Sequence, residues 1–222
     1  KGVNAITVSS VQMAEYFVGN GWKDITIAFP FNRLEIEVIN TFIRNQVKVK
    51  LLVTDLETVT YLNNGLIGEV DLLIEIDAGY GRSGIRSEDI ALISLMAEEI
   101  TKSNQTNLYG IYSHPGNTYH ADSREEIKSI WANAISEMIK VKESLSSHTT
   151  SLKVRMGDTP GCMVVEDMDG VDEIGPGNFV FFDLVMNYLD VCTEDEIAVA
   201  VACPIVQKHK ERNELIIHGG AV

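Results

Sequence analysis

Residues 73–85 read Leu-Ile-Glu-Ile-Asp-Ala-Gly-Tyr-Gly-Arg-Ser-Gly-Ile, and this stretch decides how the chain is interpreted. An apolar strand leads into an acid and then into a glycine-rich loop with one arginine, Arg82. Loops of this kind at strand ends build ligand sites, because glycine lets backbone amides approach an anion closely. The stretch therefore predicts a cofactor site, whose identity depends on the type of loop.

The three glycines of this loop, Gly79, Gly81 and Gly84, satisfy the G-x-G-x-x-G dinucleotide pattern. A dinucleotide fingerprint belongs to the first βαβ unit and needs an acid at the end of the next strand, about 20 residues further on. Here the loop follows the fourth strand-like segment, and Glu98 and Glu99 fall inside a predicted helix. Two alternatives stay open: an ordinary strand-to-helix turn, and a barrel loop whose arginine faces the barrel mouth.

Strand-like and helix-like segments alternate along most of the chain. The predicted strands are Ala5–Ser9, Ile25–Phe29, Val49–Thr54, Asp71–Asp77, Asn107–Ser113, Leu152–Met156 and Asn178–Asp183. Their apolar runs are continuous, which is typical of parallel strands covered on both faces. A helix over Glu88–Lys102, capped by Ser87, follows the glycine loop. The order predicts an α/β fold, either a doubly wound sheet or a (β/α)8 barrel of the TIM type that lacks its first strand.

The pattern changes after Thr193. Ile197–Val206, a charged turn and Glu214–His218 predict a β-hairpin. We therefore expect two domains, a barrel over residues 1–190 and the start of a β-rich domain over residues 191–222.

Composition excludes several classes of partner. The chain has 222 residues, and its 18 basic and 32 acidic side chains give a net charge of -14. Such a field repels phosphate backbones, so no nucleic-acid partner is expected. Three scattered cysteines predict reduced thiols in a cytoplasmic protein. No signal peptide is visible, and no apolar run approaches the ~20 residues that span a bilayer, so no membrane partner is expected.

Three further strand ends combine glycine with polar or aromatic residues, as the glycine loop does. They contribute a histidine, His114, and two turns at Thr159–Gly161 and Gly175–Asn178. Taken singly, His114 could be a core histidine and each turn an ordinary one. Together they offer backbone amides near Thr159, Gly161, Gly177 and Asn178 for a phosphate, an imidazole for stacking, and the Arg82 guanidinium. This set suits a flat, phosphorylated, aromatic cofactor.

The same segments resemble a known family. Glu75–Gly84 is similar to the "D-T-G-x-x-R-x-G" loop of fold-type III pyridoxal-phosphate enzymes, the alanine-racemase barrel superfamily. Tyr112–Tyr119 resembles the "Y-x-H-x-G-N-[ST]-Y" segment of D-serine dehydratases and D-threonine aldolases. Gly157–Gly161 and Gly175–Asp183 resemble that branch's "G-[GS]-T-P" and "R-P-G-N-Y-x-F-Y-D" motifs. The resemblance covers nearly the whole chain, in the family's order, and implies a barrel that binds pyridoxal 5'-phosphate.

Motif positions imply a role for each residue. Arg82 would hydrogen-bond the phenolic oxygen of the cofactor, and His114 would lie against its pyridine ring. The phosphate would be held by Thr159, Gly177 and Asn178, with Gly161 closing that turn. Tyr112 and Tyr119 would line the substrate side or reach the phosphate.

Some elements of the family pattern lie outside the sequence or differ within it. The resemblance places the Schiff-base lysine before Lys1, and the ligands of a divalent metal, zinc or manganese, after Val222. The arginine of the "R-P-G" motif, which faces the pyridine nitrogen in racemases, is Gly175 here. That difference weakens the racemase interpretation.

The resemblance therefore implies a lyase that acts on a small β-hydroxy D-amino acid, either as an aldolase or as a dehydratase. An amino-acid racemase and a non-catalytic pyridoxal-phosphate-binding protein are the alternatives. A homodimer is expected.

Overall fold

The computed structural model describes residues 2–219, and its main feature is a parallel β-sheet whose strands alternate with helices. The strands are β1 (Ile6–Val8), β2 (Asp24–Pro30), β3 (Lys48–Val53), β4 (Val70–Asp77), β5 (Ile85–Arg86), β6 (Thr106–Ser113), β7 (Lys153–Met156), β8 (Glu173–Ile174), β9 (Ile205–His209) and β10 (Glu214–Ile217). The α-helices are α1 (Val11–Gly19), α2 (Ile36–Arg44), α3 (Leu56–Gly65), α4 (Ile90–Thr101), α5 (Arg124–Ser144), α6 (Thr159–Val164) and α7 (Leu184–Tyr188).

Local sequence explains where the helices begin. The side chains of Asp55 and Ser123 accept hydrogen bonds from the amides of Thr58 and Glu126, three residues further on, and so cap α3 and α5. The long helix α5 packs Trp131 and further apolar side chains against the sheet in one continuous hydrophobic core. Burial of this face holds the helix in place.

The strands follow one another around the sheet in chain order, β1-β2-β3-β4-β6-β7-β8, with β5 paired to β4 alone. Every neighbouring pair in this sheet is parallel. A doubly wound sheet reverses its strand order at a switch point. The sequential order confirms the barrel-type alternative, with seven strands along the path and β1 and β8 at its two ends.

Contacts between strands that are not neighbours show that the sheet is curled. Lys50 on β3 lies over the ring of Tyr109 on β6, with Nζ 5.1 Å from the ring centroid. The Tyr109 hydroxyl reaches Glu173 on β8, and Arg155 on β7 reaches Thr7 on β1. Such contacts can form only across a concave face. We call these five side chains, together with Asp24, the charged interior.

Two predictions about secondary structure were wrong. Asn178–Asp183 is not a strand: Asn178–Val180 form a 3-10 turn, and the last strand of the main sheet is the two-residue β8. Ser87 does not cap the following helix. That helix, α4, begins at Ile90 behind Asp89, while the Ser87 hydroxyl donates to Glu137 on α5.

The chain beyond the sheet contains the predicted hairpin in a shorter form. β9 and β10 pair antiparallel, but the first strand begins at Ile205 rather than at Ile197. Residues 191–197 pack instead beside α7, where Leu189 and Cys192 share a small apolar cluster. The expected domain boundary at residues 190/191 stays a prediction. Within residues 2–219, no helix combines the length and the apolarity that crossing a membrane requires.

Candidate functional site

The glycine loop is a self-contained turn at the carboxyl end of β4. The Asp77 carboxylate accepts hydrogen bonds from the amides of Gly79 and Gly81, each at 3.0 Å. Gly84 has φ +100°, and a Cβ there would lie 2.8 Å from the Asp77 nitrogen, so only glycine allows the chain to return beside β4. The amides that a pyrophosphate would need are occupied and α4 begins beyond β5, so the loop is not a dinucleotide fingerprint.

Arg82 projects from this loop toward two aromatic rings. Its Cζ lies 5.5 Å from the centroid of the Tyr80 ring, and the Tyr80 ring lies 6.0 Å from that of His114. Burial is the main cause that lowers the pKa of the half-buried His114 ring, and the Arg82 guanidinium lowers this pKa further. Arg82 and His114, taken from different motifs, therefore belong to one site.

His114 follows the carboxyl end of β6 and is fixed on two sides. Its ring stacks on Tyr119 at 6.1 Å between centroids with an interplanar angle of 27°, and its Nδ1 hydrogen-bonds to the Gly157 carbonyl after β7. A carbonyl oxygen can only accept, so Nδ1 carries the hydrogen. Burial lowers the pKa of the ring, and the neutral form leaves Nε2 as an acceptor.

Thr159 links Tyr119, which stacks on His114, to Asn178 in the turn after β8. Its amide donates to the Tyr119 hydroxyl at 3.3 Å, and its own hydroxyl accepts from the Asn178 amide at 3.1 Å. Both hydroxyl groups are engaged as acceptors, and the fully buried Thr159 side chain is also hydrogen-bonded to the Tyr119 hydroxyl. Tyr119 and Thr159 thus place two hydroxyl groups beside the imidazole, whereas the backbone amides of Thr159 and Asn178, which were predicted to lie at the phosphate, are already paired.

Gly161 and Gly177 occupy opposite environments. Gly161 is buried, its amide donates to Asp158 at 2.6 Å, and a Cβ there would lie 2.6 Å from Trp131 Cζ3. Gly177 is exposed, and a Cβ there would meet nothing within 4 Å. Gly177 can therefore face a ligand, whereas Gly161 closes the turn as a packing residue with its amide already paired.

Asp158 is the buried carboxylate behind this turn. One oxygen accepts from the Thr118 hydroxyl and the Gly161 amide, while the other is buried without a hydrogen-bond partner. Burial raises the pKa of the carboxyl to about 6. Asp158 thereby ties the turn that follows His114 to the first turn of α6.

A second buried acid, Glu75, lies beside Tyr112 across β4 and β6. Its Oε1 accepts from Ser83 at 2.7 Å, and its Oε2 is buried without a partner. Burial raises the pKa of both Glu75 and Tyr112 above their ordinary values. Tyr112 stays a phenol at neutral pH, and a Cβ at Gly157 would lie 2.6 Å from its hydroxyl oxygen.

The structure thus gathers the predicted residues at one edge of the sheet, at the carboxyl ends of β4, β6, β7 and β8. Three further residues take part that the sequence did not single out: Glu75, Tyr80 and Asp158. An acid within an apolar strand was a visible signal for Glu75, and an acid before Thr-Pro was one for Asp158. Nothing in the sequence marked Tyr80.

Gly175 has a structural reason for lacking a side chain. A Cβ at this position would lie 3.1 Å from Arg155 Nη2 and 3.2 Å from Thr7 Oγ1. Arg155 forms an ion pair with Glu173 at 2.6 Å. A side chain at position 175 would therefore require Arg155 and Thr7 to shift by a few tenths of an ångström.

Residues 2–219 contain no group of three or more His, Cys, Asp or Glu side chains arranged to hold a metal ion. The predicted metal ligands would lie after Val222, outside the described residues.

Comparison with known proteins places the whole sheet in one family. Residues 1–185 match the family model described as "Alanine racemase, N-terminal domain". D-threo-3-hydroxyaspartate dehydratase from Delftia sp. (strain HT23) is 25% identical over 223 residues, which cover 99% of this chain. D-serine dehydratase from Dictyostelium discoideum is 27% identical over 238 residues, which cover 98% of it. The chain spans 58% of the length of each of these two relatives.

Solved structures agree with this placement. The structure of D-threo-3-hydroxyaspartate dehydratase from Delftia sp. HT23 superimposes with a TM-score of 0.85 at 25% identity, covering 95% of this chain and 56% of the other. Alanine racemase from Oenococcus oeni gives a TM-score of 0.64 at 15% identity, covering 86% and 48%. The second likeness shows the fold alone.

Proposed function

The chain belongs to the alanine racemase N-terminal domain family, and on this basis we propose that it is the cofactor-binding barrel of a pyridoxal-phosphate-dependent lyase for small β-hydroxy D-amino acids. The two relatives described above are dehydratases that their names assign to D-threo-3-hydroxyaspartate and D-serine. D-threonine aldolase from Arthrobacter sp., 22% identical over 187 residues, lies in the same group. Dehydration and aldol cleavage both act on a β-hydroxy substrate, so the proposal covers both.

One observation carries the proposal: the stacked and hydrogen-bonded chain from His114 through Tyr119 and Thr159 to Asn178, with Arg82 beside it. It combines a flat neutral ring with two hydroxyl groups and a cation. A phosphorylated pyridine needs these three features. The residues present therefore fit the cofactor.

Within this arrangement each side chain has a definite task. Thr159 and Tyr119 would hold the phosphate through their hydroxyl groups, with the open Gly177 beside it. The neutral ring of His114 would lie against the pyridine, and Arg82 would donate to the phenolic oxygen. Pyridoxal phosphate, when bound, withdraws electrons from the substrate's α-carbon. The lyase further requires a Schiff-base lysine and a divalent metal, zinc or manganese, from outside the described residues.

Two observations favour a lyase over the racemase alternative. The alanine racemase structure shares only the fold, at 15% identity. In addition, the position at which the resemblance places the arginine that faces the pyridine nitrogen in racemases is Gly175 here. A non-catalytic carrier is the remaining alternative, and the assay below separates all three.

The full-length protein should be incubated with pyridoxal phosphate and D-serine, D-threonine or D-threo-3-hydroxyaspartate, with and without EDTA. We expect release of a keto acid with ammonia, or of an aldehyde with glycine. EDTA should abolish this product formation. Chelator-insensitive formation of the L-isomer contradicts the lyase, and cofactor binding without turnover contradicts an enzyme.

A variant at Thr159 tests the cofactor site itself. Thr159→Val removes the hydroxyl at nearly constant volume and should raise the Kd for pyridoxal phosphate roughly tenfold, the value of about one charged hydrogen bond. Thr159→Ser keeps the hydroxyl and is the matched control. Equal affinity in the two variants would show that Thr159 does not hold the phosphate.

A further inference from the structure

Tyr80 lies between Arg82 and His114, and the motif resemblance assigns it no role. The Arg82 Cζ is 5.5 Å from the centroid of its ring on one side, and the His114 ring is 6.0 Å away on the other, inclined by 58°. We propose that Tyr80 is a positioning residue that fixes Arg82 and His114 relative to each other. The inference rests on the proposed function, because their spacing matters only if both contact one ligand.

The backbone aims Tyr80 in this direction. Gly79 and Gly81 on either side have φ of 111° and 76°, in the left-handed region that favours glycine. Both amides donate to the Asp77 carboxylate, each at 3.0 Å. The peptide units that flank Tyr80 are therefore fixed to the end of β4, and so is the direction of its side chain.

The absence of a side chain at Gly116 makes room for the Tyr80 ring. A Cβ at Gly116 would lie 2.6 Å from Tyr80 Cζ, closer than real Cβ contacts come. The Gly116 amide donates to the His114 carbonyl at 2.8 Å. The ring consequently packs against the turn that carries His114, so the position of that turn depends on the position of the glycine loop.

The same ring orders Arg82. A guanidinium that stacks on an aromatic face is held there by cation–π attraction. Without such a contact, an exposed arginine side chain is flexible. The ring also covers one side of His114 and contributes to its burial. Removing it should free the guanidinium and open the imidazole to water.

The first test measures the ring pKa of His114 by NMR in the full-length protein, with the signal assigned by its absence in His114→Gln. The groups that face this ring are the Arg82 guanidinium and the phenols of Tyr80 and Tyr119. Because burial and Arg82 lower this pKa, Tyr80→Leu should raise it by about 0.5–1 unit. Tyr80→Phe keeps the ring and should leave it unchanged.

The second test compares two probes, pyridoxal phosphate and inorganic phosphate. Tyr80→Leu should raise the Kd for pyridoxal phosphate about tenfold, as loss of an ordered cation contact does. It should leave the Kd for inorganic phosphate unchanged, because Thr159 and Asn178 lie on other elements. Tyr80→Phe should match the wild type for both probes.

Gly116→Ala perturbs the ring from the opposite side while leaving Tyr80 in the chain. Alone it should weaken pyridoxal-phosphate binding, but in the Tyr80→Leu background it should add little, since the two changes act on one contact. If Tyr80→Leu does not fold, Gly116→Ala replaces it in both measurements.

Two results overturn the proposal: an unchanged His114 pKa in Tyr80→Leu, or an equal loss of affinity for both probes, which indicates a general structural role. Failure of the wild type to bind pyridoxal phosphate overturns the proposed function instead. In that case the His114 titration alone decides whether Tyr80 orders Arg82 and His114.

Discussion

The charged interior and the carboxyl-terminal edge of the sheet both bury polar side chains, but they satisfy them differently. In the interior, Lys50 pairs with Asp24 at 2.5 Å and Arg155 with Glu173 at 2.6 Å. At the edge, one buried atom of each of four side chains has no hydrogen-bond partner among the described residues: Glu75 Oε2, Ser113 Oγ, Asn117 Oδ1 and Asp158 Oδ1. In the charged interior, Arg155 Nε is the one buried polar side-chain atom that has no hydrogen-bond partner among the described residues.

An unpartnered buried polar atom costs about 1–3 kcal/mol, so the two regions make different contributions. Paired charges inside the curl hold non-neighbouring strands together and belong to the architecture. Unpaired atoms at the edge lower stability. Substitutions in each region should therefore affect stability in opposite ways.

The largest expected effect lies in the interior. Arg155→Met leaves Glu173 without its cation and should lower the free energy of unfolding by about 3 kcal/mol, the low end for breaking a buried pair, because Glu173 keeps 29% of its side-chain exposure. Urea unfolding followed by circular dichroism measures this. Adding Glu173→Gln should restore part of the loss, since the uncompensated charge is then gone.

The matched control is a lysine in a more exposed pair. Lys142 contacts Asp172 at 3.1 Å and keeps 37% of its side-chain exposure. Lys142→Met should cost less than about 1 kcal/mol, as surface pairs do. Equal losses at Arg155 and Lys142 would show that the interior charges do not support the curl.

The second effect separates the two glycines predicted to touch the cofactor. Gly161→Ala would place a Cβ against Trp131 and should cost about 2–3 kcal/mol through overpacking. Gly177→Ala meets nothing within 4 Å and should cost less than about 0.5 kcal/mol, while weakening pyridoxal-phosphate binding. Thermal unfolding with and without cofactor distinguishes them. A stable Gly161→Ala variant with weakened binding would instead place Gly161 at the ligand.

The sequence predicted the fold where apolar runs coincide with strands. Apolar runs such as Leu51–Val53 in β3 mark strands buried on both faces. The same rule failed at Phe179–Phe182, whose apolar side chains suggested a strand but which lie in a 3-10 turn and the residues after it, with Phe182 at φ 49°. The strand of that region is β8, and it begins with the charged Glu173, which Arg155 holds from 18 residues away.

The site was predictable as far as strand ends determine it. Parallel strands end at one edge, so His114 and Thr159 could be expected together from their place after strands. Asn178 was predicted to begin a strand, and it joins them because the strand of that region, β8, ends before it at Ile174. Tyr80 and Asp158 could not be expected there, because their importance depends on contacts with Gly116 and Thr118, which only the folded chain brings near. Contacts of this kind leave no periodic signal in sequence.

The smallest expected effect concerns Asp158, and its sign distinguishes the two regions. Burial raises the pKa of this carboxyl to about 6 in the folded state, so the folded protein holds a proton that the unfolded chain releases near pH 4. The stability that this protonation provides is present at low pH and is lost as pH rises through about 6. Asp158→Asn should therefore raise the free energy of unfolding by about 1–2 kcal/mol at pH 7.5 and by almost nothing at pH 4.

Asp172→Asn is the matched control, because the pKa of Asp172 is shifted the other way. Burial alone would raise it, but the Val154 amide and two lysines outweigh burial and lower it. Its contribution is present above the unfolded pKa and is lost as pH falls, so this variant should be less stable at pH 7.5. If Asp158→Asn were also destabilising there, the hydrogen bonds from Thr118 and Gly161 would outweigh the buried charge. Asp158 would then belong with the paired interior. A stabilised variant that binds pyridoxal phosphate more weakly would show that the edge gives up stability to hold its ligand.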